Sequence, residues 1–166
     1  MTSPAPTDAL QPGEVLLALD VGQARIGLAR GEVGLGFAFG RGALRRTRHA
    51  DDVRHIADVA REEGATRLVV GLPRRTDGRD SKQTQRVRAF ADALRTAGLI
   101  VAFEDERFTT AIAERDLAHG ALPMGKRRDK GRVDEASAIL ILESYLRRLR
   151  EGAATTGSPQ DEGTTR

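Results

Sequence analysis

The chain has 166 residues, 39% of them hydrophobic and 31% charged, which suits one ordinary globular domain with a single substantial core. It has no cysteine, which excludes disulfides, thiolate zinc sites and thiol nucleophiles, and its apolar runs are too short to cross a bilayer. A formal net charge of +3 favours a polyanionic partner.

Met1 to Pro12 lacks the basic region and apolar core of a secretory signal, so a cytoplasmic location is expected. Residues 1–13 are rich in Pro, Ala and polar residues and read as a disordered tail. The body opens with Glu14 to Asp20, an apolar run of strand length. After a turn over Val21-Gly22-Gln23-Ala24, Arg25 to Arg30 is a second strand with Ile26 and Leu28 on one face. Gly34 to Leu44 is a third, weakened by Gly34, Gly36, Gly40 and Gly42, which point to bulges or close approach. Short connections make these three an antiparallel meander.

The periodicity then changes. Val53, Ile56, Ala57 and Ala60 mark an amphipathic helix that stops at Gly64. Arg67 to Val70 is the fourth strand, ended by Gly71-Leu72-Pro73. Val87, Phe90, Ala91 and Leu94 mark a second helix stopping at Gly98, and Leu99 to Phe103 is the fifth strand. A short helix over Thr110 to His119, a basic loop over Ala121 to Lys130 and a long final helix over Arg132 to Arg150 follow. The order predicts an α/β fold over 14–150: a mixed five-stranded sheet, three antiparallel then parallel strands, flanked by helices on both faces. Residues 151–166 read as a second disordered tail.

Three groups of basic residues lie in or beside predicted turns, where they can meet phosphates. They are Arg41, Arg45, Arg46 and Arg48; Arg74, Arg75 and Arg79; and Lys126, Arg127, Arg128, Lys130 and Arg132. Aromatic residues are only 4% with no tryptophan, so recognition by shape and phosphate contact is expected rather than by an extended stacking platform.

Carboxylates border three of the predicted elements. Asp20 ends the first strand, and ligands of open α/β sheets bind beyond the carboxyl ends of strands. Glu104, Asp105 and Glu106 follow the fifth strand, and spacing alone does not choose among them. Asp134 falls in the first turn of the last predicted helix, where the dipole favours a negative charge. Taken singly, Asp134 is a helix-start acid and Asp20 a turn acid. On one rim, they and an acid after the fifth strand form an oxygen-ligand site for Mg2+ or Mn2+, two ions roughly 3.5–4 Å apart. His49, His55 and His119 are scattered on polar segments and read as surface residues.

Four motifs occur in order: Asp20-Val21-Gly22 with Arg25-Ile26-Gly27, Gly71-Leu72-Pro73 with Asp77-Gly78, Asp105-Glu106-Arg107-Phe108-Thr109-Thr110, and Lys130-Gly131-Arg132-Val133-Asp134-Glu135-Ala136-Ser137-Ala138. From about Val15 to Tyr145 the chain resembles the YqgF/RuvX family, the pre-16S rRNA nucleases also described as Holliday junction resolvase-like proteins, in the ribonuclease H-like superfamily. The resemblance implies a ribonuclease H-like fold and selects Glu106, giving a catalytic and metal-binding triad of Asp20, Glu106 and Asp134. Asp20 and Asp134 are expected as direct ligands, and Glu106 as a ligand or water-orienting base. Arg74, Arg75, Arg107, Thr109, Thr110, Lys126, Arg127 and Lys130 are expected nucleic-acid contacts, with a plain helix cap an equal alternative for Thr109 or Thr110. Gly22, Gly27 and Gly71 are read as points of close backbone approach, Arg25 as a core-edge ion partner or a substrate contact, and Glu135 as a solvent-facing acid or nearby helper.

The leading expectation is a metal-dependent endonuclease of structured RNA, acting in 5′-end maturation of pre-16S rRNA. The alternative is resolution of branched DNA, which needs a homodimer with two paired sites. A non-catalytic nucleic-acid-binding scaffold is the reading from a different class. An actin-like kinase, suggested by Asp20-Val21-Gly22, needs two domains and a second phosphate loop, and the chain is too short for that.

Overall fold

The computed structural model describes residues 9–75, 77–106 and 130–156. The expected helix over Thr110 to His119 and the basic loop up to position 129 lie outside the described residues, and with them Arg107, Thr109, Thr110, Lys126 and Arg127. Positions 1–8 and 157–166 of the expected tails also lie outside them.

Five strands form one sheet in the order β3-β2-β1-β4-β5. They are β1 (Val15–Val21), β2 (Arg25–Glu32), β3 (Ala38–Arg45), β4 (Ala65–Leu72) and β5 (Val101–Asp105). β1 pairs antiparallel with β2, β2 antiparallel with β3, and β1–β4 and β4–β5 are parallel, as the sequence predicts. The third strand starts at Ala38 rather than Gly34, because Gly34 takes a left-handed turn conformation (φ 99°). Of the four glycines expected to mark irregularity, Gly40 and Gly42 lie at a bulge, since Gly27 pairs with Ala43 but Ala29 with Gly40.

Helices α1 (His49–Glu63) and α2 (Lys82–Thr96) cover one face, and α3 (Lys130–Thr156) covers the other. Helix α1 ends where Gly64, at φ 69°, turns its N–H back onto the carbonyls of Ala60 and Arg61. Helix α2 starts with a reciprocal cap in which Thr84 N–H donates to Ser81 Oγ (3.2 Å) and Ser81 N–H to Thr84 Oγ1 (3.0 Å). Helix α3 begins two residues before the expected Arg132 and continues past Arg150 to Thr156. Gly152 is not left-handed, and the alanines after it favour continuation.

Alternation along β1 divides the core. Leu17, Leu19 and Val21 pack with Ile56, Ala60, Val87, Phe90 and Leu94 under α1 and α2. Leu16 and Ala18 pack with Ala138, Ile141, Leu142 and Leu146 of α3. Asp20 continues the Leu16–Ala18 series, so it ends β1 on the α3 side. Among the described residues no helix is long and apolar enough to cross a membrane.

Candidate active site

The rim site is built around a missing pair of side chains. Asp20 is paired across the sheet with Gly27 of β2, and the Leu19–Val70 pairing places Gly71 of β4 as its next neighbour on the other side. A Cβ on Gly27 would overlap the Asp134 carbonyl, so this glycine lets the backbone of α3 lie directly on the sheet beside Asp20. A Cβ on Gly71 would meet Ile141 of α3 and Oε1 of Glu106. The space above Gly71 is therefore where the Glu106 carboxylate sits, just past the end of β5. Gly22 serves the turn instead: its N–H donates to the Arg25 carbonyl at 2.9 Å, and a Cβ there would crowd the same oxygen.

Asp20 and Glu106 are hydrogen-bonded to each other, and Ser137 of α3 also bonds Asp20. Burial pushes the Asp20 carboxyl up to about 6, with the Asp134 charge adding to the rise and the bonds from Ser137 and Glu106 opposing it. Burial and then the charges of Asp20 and Asp105 push Glu106 up to about 7. Of the two, Glu106 is raised further, so the proton that joins the pair lies on its side.

Asp134 lies one turn inside α3 rather than in its first turn, because the helix starts at Lys130. The dipole argument for this acid is corrected accordingly, since that field fades within the first turn. Its countercharge is Arg25, whose Nε lies 2.9 Å from Asp134 Oδ2, and this makes Arg25 an ion partner. Lys130 belongs to α3 rather than to the preceding basic loop.

Among the described residues no group of three acidic or histidine side chains is arranged to hold a metal ion. Asp134 is paired with Arg25, and Asp20 and Glu106 are bonded to each other. The donor set nevertheless fits a hard divalent cation: two half-buried carboxylates, one rimmed by a third acid, both raised in pKa by desolvation and by neighbouring negative charge. A cation there would replace the proton that now joins the pair.

The other acids and cations take different roles. Glu104 is fully buried beneath α3, where it accepts hydrogen bonds from Ser144 Oγ (3.2 Å) and Arg148 Nη2 (2.6 Å). Glu135 accepts a hydrogen bond from Gly42 N–H and fills the space left by Gly40, so it neither faces solvent freely nor joins the rim. The first basic group is only partly in loops: Arg41 and Arg45 belong to β3, Arg41 pairs with Glu63 at 3.1 Å, and Arg46 pairs with Asp52 at 3.2 Å. Arg74 and Arg75 are exposed on the segment leaving β4, with Arg75 near Asp77. His49 is exposed and meets the Phe90 ring edge-on. Ser137 is the site residue that sequence reasoning missed. Its signal was present in the spacing, since it lies three residues after Asp134 and so on the same helix face.

The family model described as "RuvX: Holliday junction resolvase" matches residues 14–148. A Thermus thermophilus protein called "Putative pre-16S rRNA nuclease" is 50% identical over 131 residues, covering 79% of this chain and 96% of that protein. "Ribonuclease YqgF" of Deinococcus radiodurans is 44% identical over 149 residues, covering 89% of this chain and 97% of that protein. Among solved structures, T. thermophilus RuvC in complex with a Holliday junction substrate superposes with a TM-score of 0.52 at 15% identity, over 81% of this chain and 96% of that one. That likeness establishes the expected ribonuclease H-like fold.

Proposed function

The chain belongs to the RuvX/YqgF family, and on that premise we propose that it is a divalent-metal-dependent endonuclease acting in the cytoplasm on precursor 16S rRNA. The observation that carries this reading is the half-buried, hydrogen-bonded pair Asp20–Glu106 at the carboxyl ends of β1 and β5, with Asp134 close enough for its charge to act on Asp20. Two half-buried acids with raised pKa values lower stability, and acids so perturbed gather where chemistry is done. Their cost favours a nuclease over a non-catalytic scaffold.

Asp20, Glu106 and Asp134 would hold Mg2+ or Mn2+, in a site for two ions. When bound, the ions lower the pKa of a water and neutralise charge on the leaving oxygen. The remaining work falls to the chain. Ser137 orients Asp20, and Arg25 holds the Asp134 carboxylate in place. Glu106, freed of its proton by the cation, would serve as a further ligand or would orient the attacking water at its carboxylate. Arg74 and Arg75 are assigned to phosphates flanking the cut, and Arg107, Thr109, Thr110, Lys126, Arg127 and Lys130 are assigned the same role on sequence grounds.

The test presents end-labelled precursor 16S rRNA and a four-way DNA junction to the intact protein and to Asp20→Asn, in Mg2+ or Mn2+. Cleavage of the RNA by the intact protein, lost in the variant while binding persists, is expected. Cleavage of neither substrate overturns the reading. The matched family's description supports a second reading, junction resolution. It is favoured instead if the junction alone is cut, symmetrically, by a homodimer.

A further inference from the structure

A cleft of about 320 Å3 opens at the end of β1, on the face opposite the acids. Its lining includes Val21, Gln23, Arg46, Gln83, Arg86 and Val87. The volume is at the lower end of those that hold small organic ligands. Val21 lies next to Asp20 in the chain, so the cleft and the acid site share one rim, separated by the thickness of a strand. One residue of extended backbone spans about 3.4 Å. An unpaired strand whose phosphate lies at Asp20 therefore meets the cleft at a neighbouring nucleotide.

The chemistry of the lining is more specific than a basic patch. Val21 and Val87 supply an apolar floor. Arg46 presents a planar guanidinium held from three sides: its Nε pairs with Asp52 at 3.2 Å, its Nη1 donates to the Gly22 carbonyl at 3.0 Å, and its Cζ lies over the Phe90 ring, 5.0 Å from the centroid. A guanidinium so fixed is a surface on which an unstacked base can lie. Gln83 is anchored through Nε2 to the Val21 carbonyl at 3.1 Å, which leaves its Oε1 as an acceptor at the cleft. Gln23 and Arg86 are exposed at the mouth. Amides suit the polar edge of a base, and Arg86 suits its phosphate.

We propose that this cleft binds one unpaired nucleotide of the RNA, next to the phosphate held at the acids, with its base over Arg46 and against Val21 and Val87. The nucleotide's polar edge meets Gln23 and Gln83, and its phosphate meets Arg86. The cleft makes the enzyme select cuts beside unpaired residues, a preference that phosphate contacts alone do not supply. This inference rests on the nuclease reading for its orientation, and binding tests it separately.

The experiment uses RNA hairpins carrying a short unpaired flank, each with one abasic nucleotide at a successive flank position, against the intact full chain, Arg86→Ala and Gln23→Ala. Affinity is measured by fluorescence anisotropy with divalent metal chelated, and cleavage is measured in Mn2+. The intact protein is expected to bind one abasic position about tenfold more weakly than the unmodified flank, Gln23→Ala to diminish that discrimination, and Arg86→Ala to weaken every flank alike while keeping it. Equal binding of every abasic position by the intact protein overturns the proposal, whether or not the RNA is cut. So does an undiminished abasic penalty in Gln23→Ala. Absence of cleavage with position-selective binding overturns the nuclease reading alone.

Discussion

Asp20 ties stability to function with a sign that can be measured. Its carboxyl and that of Glu106 are raised in the fold to about 6 and about 7, so the folded state holds protons that the unfolded chain has released. Their contribution is therefore fully present below about pH 4 and is lost as pH rises through the folded values. The metal-free protein is expected to melt at progressively lower temperature between pH 5 and pH 8. Asp20→Asn flattens that profile and raises stability at pH 8 by about 2 kcal/mol, while abolishing cleavage. Thermal melts in chelator with and without added Mn2+ check both parts, and a variant less stable than the parent at pH 8 contradicts the account. Gly27 is the second residue with a sharp expectation. Gly27→Ala puts a methyl group into the Asp134 backbone, so α3 must lift from the sheet. A loss of about 2 kcal/mol or more is expected in urea titration, with cleavage reduced because Asp134 moves.

Among the elements, α3 carries the most. It supplies Asp134 and Ser137 to the rim, Ile141 and Leu142 to the core, and Ser144 and Arg148 to the buried Glu104. Burial raises the Glu104 carboxyl, with Arg148 and Ser144 opposing the rise. Arg148→Ala leaves a buried acid with one hydroxyl partner, and a loss of about 1–3 kcal/mol is expected at pH 8. The loss is smaller at pH 5, where the acid is more readily neutral. Denaturant midpoints at the two pH values test this, and a pH-independent loss would mean that Arg148 acts only by packing. These roles explain what was legible in this helix. Its apolar repeat was visible as Ala138, Ile141 and Leu142, whereas its continuation past Arg150 was not, because Gly152 reads as a stop and yet is not left-handed.

For the molecule as a whole, the basic segment near Lys126, Arg127 and Lys130 is expected to act through charge. Replacing all three with Ala should weaken binding to unrelated RNA sequences by similar factors and flatten the dependence of affinity on salt. A loss confined to one sequence would instead mark base recognition there. Strand number, strand direction and the alternation of helix and strand could be read from the sequence, because periodicity and connection length are local properties. The rim position of Asp20 followed from the same layout. Three matters awaited the tertiary structure. Glu104 and Glu106 point to the same side of the sheet, and only the depth of each under α3 makes one a buried ion partner and places the other against Asp20. Arg25 is an ion partner because α3 crosses the sheet at Gly27, bringing Asp134 to it across 109 positions of sequence. The cleft beside Val21 exists because three separate segments meet there. Sequence by itself determined the elements and the chemistry they carry. Which side chains share a space was decided by packing, since contacts between distant residues depend on register, helix placement and the room left by two glycines.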